Sequence, residues 1–89
     1  MNTTLKAMQN TNELPAIVTA TGDYRTRDGR RVTVYEVQPA SSPYTFKVKG
    51  AIWKMFRGAM RPRGLQVWHV SGRLDMVTEK PGDIIAPWA

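Results

Sequence analysis

Apolar and polar residues alternate with a period of two along much of the chain, and the breaks fall at Gly, Pro, Asp and Ser. That period belongs to half-buried β-strands, because successive side chains of a strand point to opposite faces. Ile17–Ala20 opens a β-type segment, and Gly22 permits a bend or bulge behind it. Asp28-Gly29 lies between Tyr24–Arg27 and Arg30–Val37 and predicts a hairpin, with both turn residues supplying positive φ. Val32 and Val34 alternate with Arg31, Thr33 and Tyr35 on its second strand.

Pro39–Pro43 reads as a loop, with two prolines and two serines. Tyr44–Met55 predicts a third strand with Phe46 and Val48 on one face and Lys47 and Lys49 on the other. After Gly50 the parity flips, so a bulge there would turn Ala51, Trp53 and Met55 inward. A helix competes over the same stretch, since Ile52, Met55, Phe56 and Ala59 fit i, i+3, i+4, i+7 opposite Lys54, Arg57 and Arg61. Gly58 inside the run, with Pro62 and Gly64 after it, favours the strand. Arg57–Gly64 then becomes a mobile cationic loop. Leu65–Val70 and Arg73–Thr78 predict two further strands joined by Ser71-Gly72. Pro81-Gly82 makes a last turn, and Asp83 caps a short segment, Ile84–Trp88, that closes one end of the core.

The expectation is therefore an all-β chain. About five strands in up-and-down order make a small curled antiparallel sheet or an SH3-like or OB-like barrel. Residues 1–15, rich in Asn and Thr, read as a flexible arm, and 16–89 as a single β domain. Length agrees, because 89 residues make one domain.

Composition narrows the chemistry. There is no cysteine, so disulfides, thiolate nucleophiles and zinc ribbons are excluded. The first fifteen residues lack the apolar stretch of a signal peptide, and no apolar run approaches the ~20 residues that span a bilayer. A cytoplasmic location in a bacterial host is expected.

The charge map adds more. Net charge is +6, and between Glu36 and Asp75 there is no acid, whereas Lys47, Lys49, Lys54, Arg57, Arg61, Arg63 and Arg73 all fall there. Such a stretch predicts a positive face that concentrates anionic partners. Tyr44, Trp53, Phe56 and Trp68 add candidate stacking surfaces. The alternative reading makes the charges a solvated rim and the two Trp rings core.

Catalytic chemistry finds no motif. His69 is the single histidine, and Ser71 two residues on sits in ordinary turn chemistry. No acid pair, metal-ligand cluster or phosphate-cradling Gly-rich loop is recognisable. No enzyme activity, cofactor, metal or small-molecule substrate is expected.

The segment Thr21-Gly22-Asp23-Tyr24-Arg25-Thr26-Arg27-Asp28-Gly29-Arg30-Arg31-Val32 resembles the opening of a group of small phage and prophage reading frames. Lys49-Gly50, Trp68 with Ser71-Gly72-Arg73, and Asp83-Ile84 with Trp88 extend the resemblance over residues 21 to 88. It implies a phage setting and a shared fold, and no activity. The basic, apolar stretch from Trp53 to Arg63 departs from that group.

The leading expectation is a basic accessory protein that contacts nucleic acid through Lys47, Lys49, Trp53, Lys54, Phe56, Arg57, Arg61, Arg63, Trp68 and Arg73. The alternatives are a modulator of a host protein with an acidic surface, acting in anti-defence or host takeover, and a capsid-associated structural piece.

Overall fold

A computed structural model describes residues 16–88, and the expected arm 1–15 lies outside the described residues. The strands are β1 (Gly22–Thr26), β2 (Arg31–Val37), β3 (Val48–Phe56), β4 (Ala59–Trp68) and β5 (Ile84–Pro87). They form one antiparallel sheet in the order β4-β3-β2-β1-β5. The all-β expectation holds, in its open-sheet form: β4 and β5 are the two edges and do not pair, so there is no barrel. Among the described residues no helix is long and apolar enough to cross a membrane.

The β1–β2 hairpin forms where the alternation put it. Only Gly29 takes positive φ, at 87°. The amide of Gly29 donates to the Thr26 carbonyl at 3.0 Å, and Thr26 and Arg30 close the loop at 2.8 Å. This is a three-residue loop whose last residue must be left-handed, which suits Gly. Asp28 serves the turn through its carboxylate, which accepts from Thr26 Oγ1 at 2.5 Å and Arg30 Nε at 3.0 Å.

One face of the sheet is the core. Tyr24, Val32, Val34, Val48, Ile52, Trp68 and Ile84 are buried there together with Val18, and Val37, Val70 and Leu74 pack at its margin. Trp68 is fully buried and its indole donates to the Gly82 carbonyl at 2.9 Å. Truncating a ring so placed costs about 3–5 kcal/mol. It is a core residue and offers no stacking surface, against the expectation.

The third strand differs from its predicted form. It starts at Val48, leaving Tyr44 and Phe46 in the connection, and it keeps its parity through Gly50. Val48, Gly50 and Ile52 face the core, while Trp53 and Met55 face away, with Met55 67% exposed. The extra residues sit on the neighbours instead: Tyr35 on β2, and Gly64-Leu65 on β4 opposite Ala51. Gly50 is required for a different reason, because a Cβ there would collide with the Thr33 carbonyl oxygen.

The predicted loop Arg57–Gly64 is mostly strand. Arg57 (φ 50°) and Gly58 (φ 81°) form a two-residue turn of the mirror-image type whose twist matches the strands it joins. Gly64 (φ 79°) serves the β4 bulge. Pro62 pairs with Trp53. Counting from the hydrogen-bonded Phe56/Ala59 pair at the turn, Pro62 occupies a position whose N–H would face the free edge, where proline costs nothing.

The predicted strand Arg73–Thr78 does not form. The chain instead turns at Ser71, where His69 N donates to the Arg73 carbonyl at 2.8 Å, and crosses to the far edge. There β5 pairs with β1, which replaces the up-and-down order. Asp83, 1% exposed, fixes this crossing. Its carboxylate accepts from Leu74 N at 2.9 Å, Lys80 N at 3.0 Å and Arg27 at 3.3 Å.

Burial alone would raise the Asp83 pKa, but the two amides and the Arg27 guanidinium outweigh it and hold it below the ordinary carboxylate value. A depressed folded-state pKa stabilises the fold above the unfolded value of about 3.9, and that contribution fades as pH falls through the folded-state value. Urea unfolding should therefore lose midpoint below about pH 4. Asp83→Asn should cost about 1–3 kcal/mol at neutral pH by turning an amide toward donors, and should flatten the acid limb.

Candidate nucleic-acid interface

The β3–β4 hairpin outlasts the sheet. The pairing of β2 with β3 ends at Val32 and Ile52, so Trp53–Phe56 and Ala59–Pro62 continue as two strands without a third beside them. The register decides what each face of this ribbon carries. Lys54 lies opposite Arg61, Ile52 opposite Arg63 and Phe56 opposite Ala59, all on the face that continues the core side. Trp53 opposite Pro62 and Met55 opposite Met60 make the other face apolar. Arg57 stands at the tip.

The cationic face is ordered by contacts of its own. The Arg63 guanidinium lies over the Phe56 ring at 3.6 Å from the centroid, and that of Arg57 lies 5.2 Å from it. Such stacking contributes about 0.5–1 kcal/mol at an exposed site and holds the guanidinium plane in place.

Carboxylates are spent elsewhere. Asp23 pairs with Arg31, Asp28 with Arg30 at 2.9 Å, Glu36 with Lys49 at 3.6 Å, and Asp83 and Glu79 with Arg27 at 3.3 and 3.8 Å. Asp75 accepts from Val77 N at 2.7 Å and from the Thr78 hydroxyl, and the Val77 amide leads in lowering its pKa. Among the described residues no carboxylate pairs with Lys54, Arg57, Arg61 or Arg63.

Comparison with known proteins adds no relative. No family model, curated protein or solved structure matches the chain. The reading of this surface rests on its geometry and charge.

Five of the ten expected contact residues meet on the cationic face and tip of the ribbon: Lys54, Phe56, Arg57, Arg61 and Arg63. The others do not join them. Lys49 faces away and pairs with Glu36, Lys47 donates to the Tyr44 carbonyl at 2.5 Å, and Arg73 donates to the Asp75 carbonyl at 3.3 Å. Trp68 is core.

Trp53 turns out to be a buttress. Its indole donates to Thr33 Oγ1 at 2.8 Å, and that hydroxyl donates to Asp23 Oδ1 at 2.7 Å. Arg31 stacks on the Trp53 ring at 4.4 Å, lies 5.7 Å from Trp88, and closes the network on Asp23. The Arg31 hydrogen bond leads in lowering the Asp23 pKa, followed by that of Thr33. Nothing in the alternation of β1 and β2 marks Asp23, Arg31 and Thr33 as a support for a ring twenty residues beyond Thr33; the cross-strand register supplies that link.

Beside the ribbon an open groove of about 1080 Å³ runs between Lys54, Arg63 and Gln66 on one side and Leu74, Asp75 and Lys80 on the other, with Phe46 at its wall. Lys80 was absent from the expected set because it lies beyond the acid-free stretch. His69 Nδ1 accepts from the Ser71 amide at 3.0 Å and meets Ser71 Oγ at 2.9 Å. Burial first, then Lys47, lowers its pKa. With Nδ1 accepting the amide proton, the pair closes the turn that starts the crossing.

Two features of the ribbon oppose local stability. Like charges face each other at Lys54 and Arg61, and Arg57 holds a left-handed conformation that Asn or Gly adopts more readily. Arg57→Asn should therefore raise stability by about 1 kcal/mol, read as a higher urea midpoint at unchanged slope.

Proposed function

We propose that the protein binds nucleic acid through the cationic face and tip of the β3–β4 ribbon, as an accessory protein of phage type. The observation that carries this reading is the partition of charge. Five of the six described carboxylates pair with cations of the sheet body, and Lys54, Arg57, Arg61 and Arg63 are left clustered and unpaired on a projecting hairpin. A solubilising rim needs neither clustering nor like charges face to face. Clustered cations suit phosphate neutralisation, because each contacted phosphate releases a condensed counterion.

The apolar face of the same ribbon favours a second reading, a contact with a host protein. Met55 and Met60 are 67% and 50% exposed on a face that nothing among the described residues covers. A host partner captured in stoichiometric amount after nuclease treatment, and lost with Met55→Asp, would favour that reading over the first.

Four phosphate contacts predict that affinity for nucleic acid falls roughly 50–150-fold between 50 and 200 mM salt. Arg61→Glu should weaken binding at every salt and make the slope shallower by about one unit or more. Affinity that stays flat across this range, or is indifferent to Arg61→Glu, would remove the ribbon as the contact.

A further inference from the structure

We infer that the nucleic acid is duplex DNA and that the ribbon enters its major groove, tip first, with Arg57 and the Lys54–Arg61–Arg63 face toward the bases and backbone. This rests on the nucleic-acid reading above and adds the form of the ligand and the groove.

Three observations lead there. The first is shape. Beyond Ile52 the ribbon has two strands of four residues each, closed by a turn that adds no bulk. It therefore projects roughly 13 Å, at about 3.3 Å per residue. The major groove is about 12 Å wide and 8.5 Å deep and admits a two-stranded β-ribbon as it stands, whereas the minor groove, at about 6 Å, takes one only when the duplex is bent or widened.

The second is the state of the aromatic rings. Single-strand binding without sequence preference needs open ring faces on which bases stack. Trp68 is buried, Trp53 is held by Thr33 and covered by Arg31, and Phe56 carries Arg63 at 3.6 Å. Tyr35, Tyr44 and Trp88 are exposed but lie off the ribbon, and half-buried Phe46, at the groove wall, packs edge-to-face with His69. On the ribbon itself the groups left for contact are guanidinium planes and one ammonium. Guanidinium forks pair with phosphates and with the O6 and N7 acceptors of guanine, which duplex DNA displays in the major groove.

The third is Arg57 itself. A long cationic side chain occupies the first turn position at φ 50°, where Asn would cost less. Backbone strain of this kind points to a role for the side chain that the turn does not require. At the tip, Arg57 is the residue that reaches the groove floor first.

The test compares one short GC-containing sequence in three forms by fluorescence anisotropy: single strand, plain duplex, and duplex whose cytosines carry glucosylated hydroxymethyl groups that fill the major groove. Distamycin is added to the plain duplex as a minor-groove competitor. The expected result is binding to plain duplex about tenfold or more tighter than to the single strand, sharply weakened by glucosylation and unchanged by distamycin. Arg57→Asn, which keeps the turn, should lower duplex affinity about tenfold or more while the protein becomes more stable. That combination separates a contact residue from a folding defect. Preference for the single strand, indifference to glucosylation, or displacement by distamycin overturns the groove inference and leaves nucleic-acid binding in place. Absence of binding to every form at low salt overturns both.

Discussion

The length mismatch between β2 and the β3–β4 hairpin sets what this molecule presents to its surroundings. β2 begins at Arg31 because the Thr26–Arg30 turn must close first, and its ladder with β3 ends at Ile52. From there the hairpin has no lateral partner among the described residues. An isolated two-stranded ribbon is marginal in water. The ribbon is held at its base by the Trp53–Thr33–Asp23–Arg31 network and at its end by a tight turn. Remove the buttress and the cations lose their common face; extend β2 and the ribbon is absorbed into the sheet.

Charge follows the same division. Along the chain the acids lie towards both ends, where six of the thirteen cations accompany them, and the other seven cations occupy the acid-free middle. Folding brings the ends together, because β5 returns to β1 and Asp83 ties Leu74, Lys80 and Arg27. The carboxylates then pair locally with Arg27, Arg30, Arg31 and Lys49 on the body. The open-sheet topology thereby places every ion pair among the described residues on the body and leaves the ribbon cationic. Asp75 is the one described carboxylate that lines the groove beside Lys54 and Arg63, and its oxygens accept from Val77 N and the Thr78 hydroxyl.

Much of this was legible in the residues, and the failures share a cause. The Asp-Gly hairpin and the alternation of Val32 and Val34 follow from strictly local rules and held. Gly58, Pro62 and Gly64 were read as loop punctuation, since each breaks a regular strand interior. Here one completes a turn, one sits at an edge position without a ladder N–H, and one opens a bulge. All three are strand-compatible once the pairing partner is known, and pairing is non-local. Gly50 misled in the same way: it was assigned a bulge, whereas it allows a close approach to the Thr33 carbonyl. The positive face was legible as an acid-free interval, but the interval could not tell Lys54, Arg57, Arg61 and Arg63 from Lys47, Lys49 and Arg73, because parity and register decide that.

The ribbon is also where sequence and local stability disagree most. A left-handed Arg at the tip, a Lys facing an Arg, and two exposed Met side chains all sit within eight consecutive residues, Met55 to Pro62, or beside them. In the first hairpin and the core the local choices agree with the fold, with Gly29 in its turn, Val32, Val34 and Val48 inward and Asp83 saturated with donors, while exposed apolar side chains such as Leu65 and Val77 occur off the ribbon as well. Folding alone has no need of a left-handed Arg57 or of Lys54 set against Arg61. A polyanion placed against the cationic face relieves the repulsion between Lys54 and Arg61 and gives the Arg57 side chain a partner that offsets the cost of its backbone. The exposed methionines are not explained by that ligand. They are an adaptable apolar surface on the opposite face of the ribbon, so anion affinity and any apolar contact draw on different side chains of one hairpin.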